Sequence, residues 1–423
     1  MIFSYLKIAW RNAWKNKAFA LINVAGLTLG LSCCLLMTAY VLDELGYDRF
    51  HEHADRIVLL QQFENSGGSG GKLATDFRQK FAQVENAVRL LKAKPLIANQ
   101  TAAFYEENFF FADSTAFSVF TLPLIQGNPR TALTERYGVV LTESTARKYF
   151  PNQNPLGQTL RYDKKHSLRV TGVMRDLPGN SHQAIDFLAN YTNANELLGR
   201  DVTTNLWAGS AWTYLLLAPS AKPAAIEAQL PAYLKQLGDP NVGVWKLKLI
   251  PLTDLYLRTE LIASNRLAYV TVFSVVALLI LALASFNYVN LATARATKRA
   301  KEVGVRKVLG STFSQLGSQF LSETIFFVLV AVALTALFVP IVLPAFNALA
   351  DKKLDLLALL TPERVLGLLA GIALLAVAAG AYPAAVLASF RPATVLKGAV
   401  MQSGSGKAPL LRQTLVVGQF TVS

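Results

Sequence analysis

The sequence predicts a membrane protein: four transmembrane α-helices, with a large α+β extracytoplasmic domain inserted between helices 1 and 2. Three observations lead there. Four long stretches are almost free of charge. The segment between the first two has the composition of an ordinary globular domain. The remaining cations gather at particular ends of the apolar stretches.

The apolar stretches are Ala18 to Leu42, Leu267 to Ala294, Phe320 to Ala350 and Val365 to Phe390, and Glu323 is the sole charge in them. A helix needs roughly 20 mainly apolar residues to cross the hydrocarbon layer. A charge at mid-span costs about 2.5 to 3.5 kcal/mol on an insertion scale. Mean hydropathy is +0.34, although the 423 residues carry a formal charge of +14. A soluble protein this basic would suggest nucleic acid. Here the cations flank membrane stretches and form no wider basic surface, so no nucleic-acid partner is expected. The first stretch is longer than a signal-peptide core, and no A-x-A site follows it. It reads as an uncleaved anchor.

Charge placement orients the chain. Lys7, Arg11, Lys15 and Lys17 precede the first stretch. Arg295, Lys298, Arg299, Lys301, Arg306 and Lys307, against Glu302, lie between the second and third. Arg391, Lys397, Lys407 and Arg412 follow the fourth. Between the third and fourth, Lys352, Lys353 and Arg364 balance Asp351, Asp355 and Glu363; the long segment Asp43 to Asn265 holds 23 cations and 22 acids. Cations beside span ends mark the cytoplasmic side and meet anionic headgroups there. The expected location is the inner membrane, with both ends in the cytoplasm and the large domain periplasmic.

The expected segments follow from that pattern. Residues 1–17 form a cytoplasmic interfacial helix and 18–42 the first span. Residues 43–265 form the outer domain and 266–294 the second span. A cytoplasmic coupling loop at 295–319 leads to the third span at 320–350. A short outer loop at 351–364 leads to the fourth at 365–390, and 391–423 form a cytoplasmic tail.

In the first segment Phe3, Leu6, Trp10, Ala13 and Trp14 share an arc, beside Lys7, Arg11 and Lys15. Rings at headgroup level and cations toward anionic lipid make an interfacial anchor of Trp10, Arg11, Trp14 and Lys15. In the outer domain "RIVLLQQF", "LRVTGVMRDLP" and "TYLLLAPS" read as strands. Trp245 to Leu252 alternates apolar and cationic residues, the period of a half-buried strand. "GVVLTESTARKYF" reads as a strand entering a helix capped by Thr142 or Ser144. Pro223 opens a helical pattern that Pro231 interrupts. Two lobes are expected.

Candidate chemistry is sparse. "SGGSGGKLAT" lacks the first P-loop glycine, since Ser66 stands there, and Leu73 replaces the Ser or Thr; it reads as a flexible loop. "HEHADR" offers His51, Glu52, His53 and Asp55, too few placed ligands for a metal. It reads as a helix or turn with exposed polar residues. No G-x-S-x-G, H-E-x-x-H or EF-hand pattern occurs. Neither a catalytic residue nor a bound metal or cofactor is expected on this chain. Cys33 and Cys34 read as small packing residues within the first span. Gly26 with Gly30, and Gly367 with Gly371, are spaced four apart, which lets helices approach closely. Asn287 and Asn290 suit either an interfacial position or interhelical hydrogen bonds.

The order of these parts, with several motifs, resembles the MacB/FtsX-type permease subunits of ABC transporters. "SYLKIAWRNAWKNKAFALINVAGLTLGLS" is similar to the leading helix and first span of that family. "VVLTESTARKYFPNQNPLGQTL" and "VTGVMRDLPGNSH" are similar to its outer core domain. "RATKRAKEVGVRKVLGS" with "QFLSE", and "AYPAAVLASFRPATVLKG", resemble its cytoplasmic loop and fourth span.

The resemblance implies a non-catalytic permease driven by a separate cytoplasmic ATPase, with ATP and magnesium held by that partner. It implies an ATPase-docking loop containing Glu302, Gly304, Arg306, Lys307 and Gly310. It also implies mechanical transmission or export, a second permease half or copy, membrane lipid, and an extracytoplasmic cargo or partner. "LLRQTLVVGQFTVS" looks like the opening of a second half, as in a tandem permease. A membrane-anchored sensor with a ligand-binding outer domain is the alternative; it leaves the last two spans unexplained.

Overall fold

The computed structural model describes residues 2–64, 66–207, 211–238, 242–259, 261–262, 266–359 and 361–389. The chain opens with α1 (Ile2–Lys15) and α2 (Lys17–Leu45). There follow β1 (Ile57–Gln61), α3 (Gly71–Lys80), β2 (Val84–Ala93), β3 (Leu96–Ala98), β4 (Ala103–Tyr105), β5 (Phe109–Ala112), α4 (Ala116–Val119) and β6 (Leu124–Gly127). Next come β7 (Gly138–Thr142), α5 (Glu143–Tyr149), β8 (Thr159–Tyr162), β9 (His166–Met174), β10 (Phe187–Asn190), α6 (Ala194–Leu198) and β11 (Ala211–Leu217). Then α7 (Pro223–Glu227), α8 (Leu230–Leu237), β12 (Lys248–Pro251) and α9 (Leu252–Arg258) lead to α10 (Arg266–Val308), α11 (Phe313–Ala350), α12 (Leu356–Leu359) and α13 (Pro362–Ser389). These elements fall into two compact units, residues 44–269 and residues 1–43 with 270–423.

In the helical unit, four helices are long and apolar enough to cross a membrane: Lys17–Leu45, Arg266–Ala294, Phe313–Ala350 and Pro362–Ala381. Leu27, Tyr288, Val289, Phe327, Val328, Ala331, Ala376 and Ala379 form its buried core. The segment expected as a loop at 295–319 is mostly helical. Helix α10 continues to Val308, and α11 begins at Phe313.

Local chemistry explains the short turn. Gly310 has φ +97°, in the left-handed region that favours glycine. There Ser311 N donates to Arg306 O at 3.0 Å, satisfying a carbonyl at the end of α10. Thr312 Oγ1 accepts from Gln315 N at 3.3 Å, and Gln315 Oε1 accepts from Thr312 N at 3.1 Å. This reciprocal capping box starts α11 before the apolar run does. The tail at 391–423 lies outside the described residues.

In the α+β unit the strands join one twelve-stranded sheet, where two lobes were expected. Its order is β12-β1-β11-β2-β5-β10-β7-β9-β8-β3-β4, with β6 paired to β9. Strand β11 sits between β1 and β2, antiparallel to both, with Tyr214 opposite Leu59 and Val88. Apolar cores line the sheet, one containing Phe109, Phe111 and Phe187 and another Phe77, Phe81 and Tyr233. The Thr142 side chain caps α5 by accepting from Thr145 N. The proline pair yields two short helices, α7 opening at Pro223 and α8 carrying Pro231 in its first turn. The Trp245–Leu252 segment is strand only over β12, although Trp245 and Leu249 are both buried.

"SGGSGGKLAT" is not a flexible loop. Its second half is the start of α3. Ser69 is buried and its hydroxyl donates to Thr213 Oγ1 at 2.7 Å. A Cβ on Gly70 would stand 2.2 Å from Leu206 O, and one on Gly71 2.0 Å from Val202 O. These glycines permit backbone-on-backbone packing.

Candidate coupling site

The first turns of α11 tie together α1, α10 and α13. Gln319, Glu323 and Thr324 lie on one side at helical spacing. Arg306 of α10 donates to Gln319 Oε1 at 3.0 Å. Asn12 of α1 donates to Glu323 Oε1 at 2.5 Å. Tyr288 of α10 donates to Thr324 Oγ1 at 2.9 Å. From α13, Gly380 approaches so closely that a Cβ there would meet Leu321 at 2.8 Å and Thr324 at 3.0 Å. Three such bonds and one close glycine contact make this end of the bundle a connected block.

The expected docking residues divide. Gly304 is buried in α10, Lys307 is half-buried, and Arg306 points back to Gln319. Gly310 is exposed and shapes the turn. The side chain of Glu302 lies outside the described residues. Beside the exposed Thr312, Ser314 and Gln315, the turn presents large apolar side chains outward: Val308 is 64% exposed, Leu309 80% and Phe313 57%. The signal available was "VLGS" directly before a capping Thr.

Helix α1 buries Ala9 completely and leaves Trp10, Arg11, Trp14 and Lys15 exposed. Ala9 faces the bundle with the half-buried Asn12 and Ala13, while the two tryptophans of the arc stay exposed. Trp10 meets Phe326 of α11 edge-on at 6.2 Å, and the Lys17 ammonium lies 5.2 Å from the Trp14 ring. The glycine pairs also divide. A Cβ on Gly30 would stand 2.5 Å from Ala284 Cβ, and one on Gly26 3.4 Å from Asn287 Nδ2. A Cβ on Gly367 or Gly371 would meet nothing within 4 Å, so neither packs against a described helix. Asn287 therefore faces α2 from within the unit. Gly380 is the close contact that the i, i+4 pattern missed.

In the α+β unit, residues at the end of α2 and the start of α10 share one cluster. Tyr47 and Tyr256 stack with ring planes 2° apart. Tyr256 donates to the buried Glu44 at 3.3 Å, and the Arg266 guanidinium lies 3.9 Å from Glu44 Oε1 and over the Tyr256 ring. Burial pushes the Tyr256 phenol well above its ordinary range, so it stays a donor.

"HEHADR" is a turn entering a 3-10 helix at Ala54–Arg56, with Glu52 and Asp55 exposed as expected and His51 turned inward. His51 is buried, its Nδ1 accepts from Thr121 N at 3.1 Å, and its ring lies between Phe50 and Phe120. Burial pulls its pKa down to about 4, with Asp48 opposing and His182 adding to the shift. Among the described residues no three His, Cys, Asp or Glu side chains gather as metal ligands would.

Four membrane-length helices and a large α+β unit, with polar and small-residue contacts where helices meet, give the chain the architecture of a multi-pass membrane protein. The chain belongs to the MacB/FtsX-type ABC transporter permeases: the family model of the MacB-like periplasmic core domain matches residues 20–233, and that of the FtsX-like permease C-terminal region matches residues 274–392. It is 25% identical over 252 residues to the macrolide export ATP-binding/permease protein MacB of Mannheimia succiniciproducens, a match covering 58% of this chain and 37% of that protein. The MacB of Aggregatibacter actinomycetemcomitans is 27% identical over 198 residues, covering 45% of this chain and 28% of that protein. The chain thus spans about a third of the length of these curated relatives. Among solved structures, the periplasmic region of MacB from Actinobacillus actinomycetemcomitans aligns with a TM-score of 0.37 and 18% identity, over 47% of this chain and 89% of that one.

Proposed function

We propose that this chain is a permease subunit that converts ATP hydrolysis by a separate cytoplasmic ATPase into movement of its α+β unit outside the membrane. Both ends and the α10–α11 turn lie in the cytoplasm of a cell whose inner membrane the four helices cross. Residues 43–265 lie on the far side. The chain holds no cofactor of its own; ATP and magnesium sit on the partner. A second permease half or copy completes the assembly, and the cargo or partner is met outside.

The observation that carries this reading is the reach of α10. Its membrane-length part ends at Ala294, but the helix runs on to Val308 and closes with an exposed apolar tip. A rigid rod with apolar groups at its end suits insertion into a partner's groove, since exposed apolar clusters mark interaction sites. Arg306 bonds back to α11, so a push on the tip reaches the polar block on Gln319, Glu323 and Thr324.

Affinity purification of the full chain in mild detergent tests it. Retention of an ATPase, lost in Leu309→Asp, is expected. A chain that binds no ATPase and signals to a cytoplasmic regulator instead would replace the permease with a sensor.

A further inference from the structure

Helix α2 ends at Leu45, and the next three residues are fastened to the interior of the α+β unit. Asn180 Nδ2 donates to Gly46 O at 3.0 Å, and Asp48 N donates to Asn180 O at 2.9 Å. His182 N donates to Asp48 Oδ1 at 3.0 Å. The His182 ring continues the line: its Nδ1 is 2.8 Å from Asp48 Oδ1 and its Nε2 is 2.6 Å from the Tyr214 oxygen. Tyr214 stands on β11, between β1 and β2. It also packs edge-on against Phe120, and Trp212 lies beside the His182 ring.

Three properties separate this line from ordinary packing. Asp48 and Tyr214 are fully buried, and the His182 side chain nearly so. Asp48 has φ +58°, a conformation uncommon for a residue other than glycine. Its Oδ2 and the His182 Nδ1 are both buried without a hydrogen-bond partner among the described residues, so the ring meets Asp48 Oδ1 in a close polar contact that is not a hydrogen bond, and the bonded link is the His182 N–H. A buried carboxylate paired through one oxygen is a poor way to gain stability, but it is a stiff way to hold a chain in one place, because polar links are stronger away from water. Three residues span at most about 10 Å, so there is little slack between the end of α2 and the sheet. The order Asp–His–Tyr also matches an activated nucleophile, but no substrate reaches an oxygen as buried as that of Tyr214.

We propose that Asp48, His182 and Tyr214 are positioning residues that transmit displacement of α2 into the centre of the sheet. The proposal rests on the permease reading and names the link that reading requires. The neighbouring stack of Tyr47 on Tyr256 holds the other chain crossing to the same short segment.

The test uses the full chain purified with the ATPase it retains. Hydrogen exchange is followed with and without ATP plus vanadate, beside ATP turnover and melting temperature. The wild type is expected to show nucleotide-dependent exchange changes in peptides covering 178–183 and β11. Tyr214→Phe keeps the ring and removes only the oxygen. Asp48→Asn keeps the shape, and Asn tolerates a positive φ. Each is expected to lower the nucleotide-dependent change at least threefold with ATP turnover unchanged, although the unpaired buried partner lowers the melting temperature; a merely structural role would give the same reduction in a Val88→Ala variant of similar melting temperature, which leaves the three residues in place. Variants that respond as the wild type does would overturn the link while leaving the permease reading in place. A wild type with no nucleotide response would overturn both.

Discussion

Arg306 on α10 and Gln319 on α11 are joined across the turn by a hydrogen bond of 3.0 Å. The sequence pattern offers that guanidinium to a partner's carboxylate; the structure turns it inward. Arg306 and Leu309 therefore have separable roles. Leu309→Asp, at 80% exposure, should leave the melting temperature unchanged and lower ATPase retention at least tenfold. Arg306→Ala removes a hydrogen bond from a charged donor, worth about 1.5 to 3 kcal/mol. It should raise hydrogen exchange at residues 304–312 before it affects retention. Equal loss of retention in both, with no change in exchange, would return Arg306 to the interface.

The two glycine pairs give an internal control. A Cβ on Gly30 would stand 2.5 Å from Ala284 Cβ, whereas one on Gly367 meets nothing. Overpacking costs typically about 1 to 3 kcal/mol. Gly30→Ile should lower the melting temperature of the detergent-solubilised chain by several degrees, and Gly367→Ile should leave it in place or raise it slightly by reducing unfolded-state freedom. A drop of similar size for Gly367→Ile would show that a second surface covers that face.

His51 makes the chain acid-sensitive. Its pKa falls from an ordinary 6.5 to about 4 on folding. Below 6.5 the unfolded chain takes up a proton that the folded chain refuses, so this contribution to stability is full above 6.5 and lost as pH falls toward 4. The loss is at most about 3 kcal/mol, at about 1.36 kcal/mol per pH unit. His51→Gln keeps an acceptor for the Thr121 N–H and removes the titration. Melting curves at pH 7.5, 6, 5 and 4 should fall less steeply for the variant; parallel curves would place the acid sensitivity elsewhere.

Much of the architecture was legible because membrane helices are written in long windows. A charge-free run is visible whatever it packs against. The strands Ile57–Gln61, His166–Met174 and Ala211–Leu217 were legible for the same reason, being continuous apolar or alternating runs. The missed features depend on residues far apart in sequence. Asp48 and His182 are 134 positions apart and Asn12 and Glu323 are 311 apart, and neither pair has a local signature. Gly70 and Gly71 read as flexibility because glycine's two uses, freedom and close approach, look alike until the neighbouring backbone is seen. The capping box at Thr312 and Gln315 was local and readable, but the charge cluster before it suggested a loop.

Side assignment is open to direct chemical test. Ser118 is exposed on the α+β unit, and among the described residues its hydroxyl engages Asn86 and the Thr115 carbonyl, so a thiol there should cost little. Leu309 is exposed at the α10–α11 turn. Cys33 and Cys34 are free thiols and must first become alanine. In that background a membrane-impermeant maleimide should label Ser118→Cys in intact spheroplasts, and Leu309→Cys only after lysis. Cations cluster beside the turn and not beside the α+β unit, which is the physical basis of the expectation. Labelling of Leu309→Cys in intact spheroplasts, with Ser118→Cys protected, would invert the orientation. An ATPase of the cytoplasm could then never meet the tip of α10.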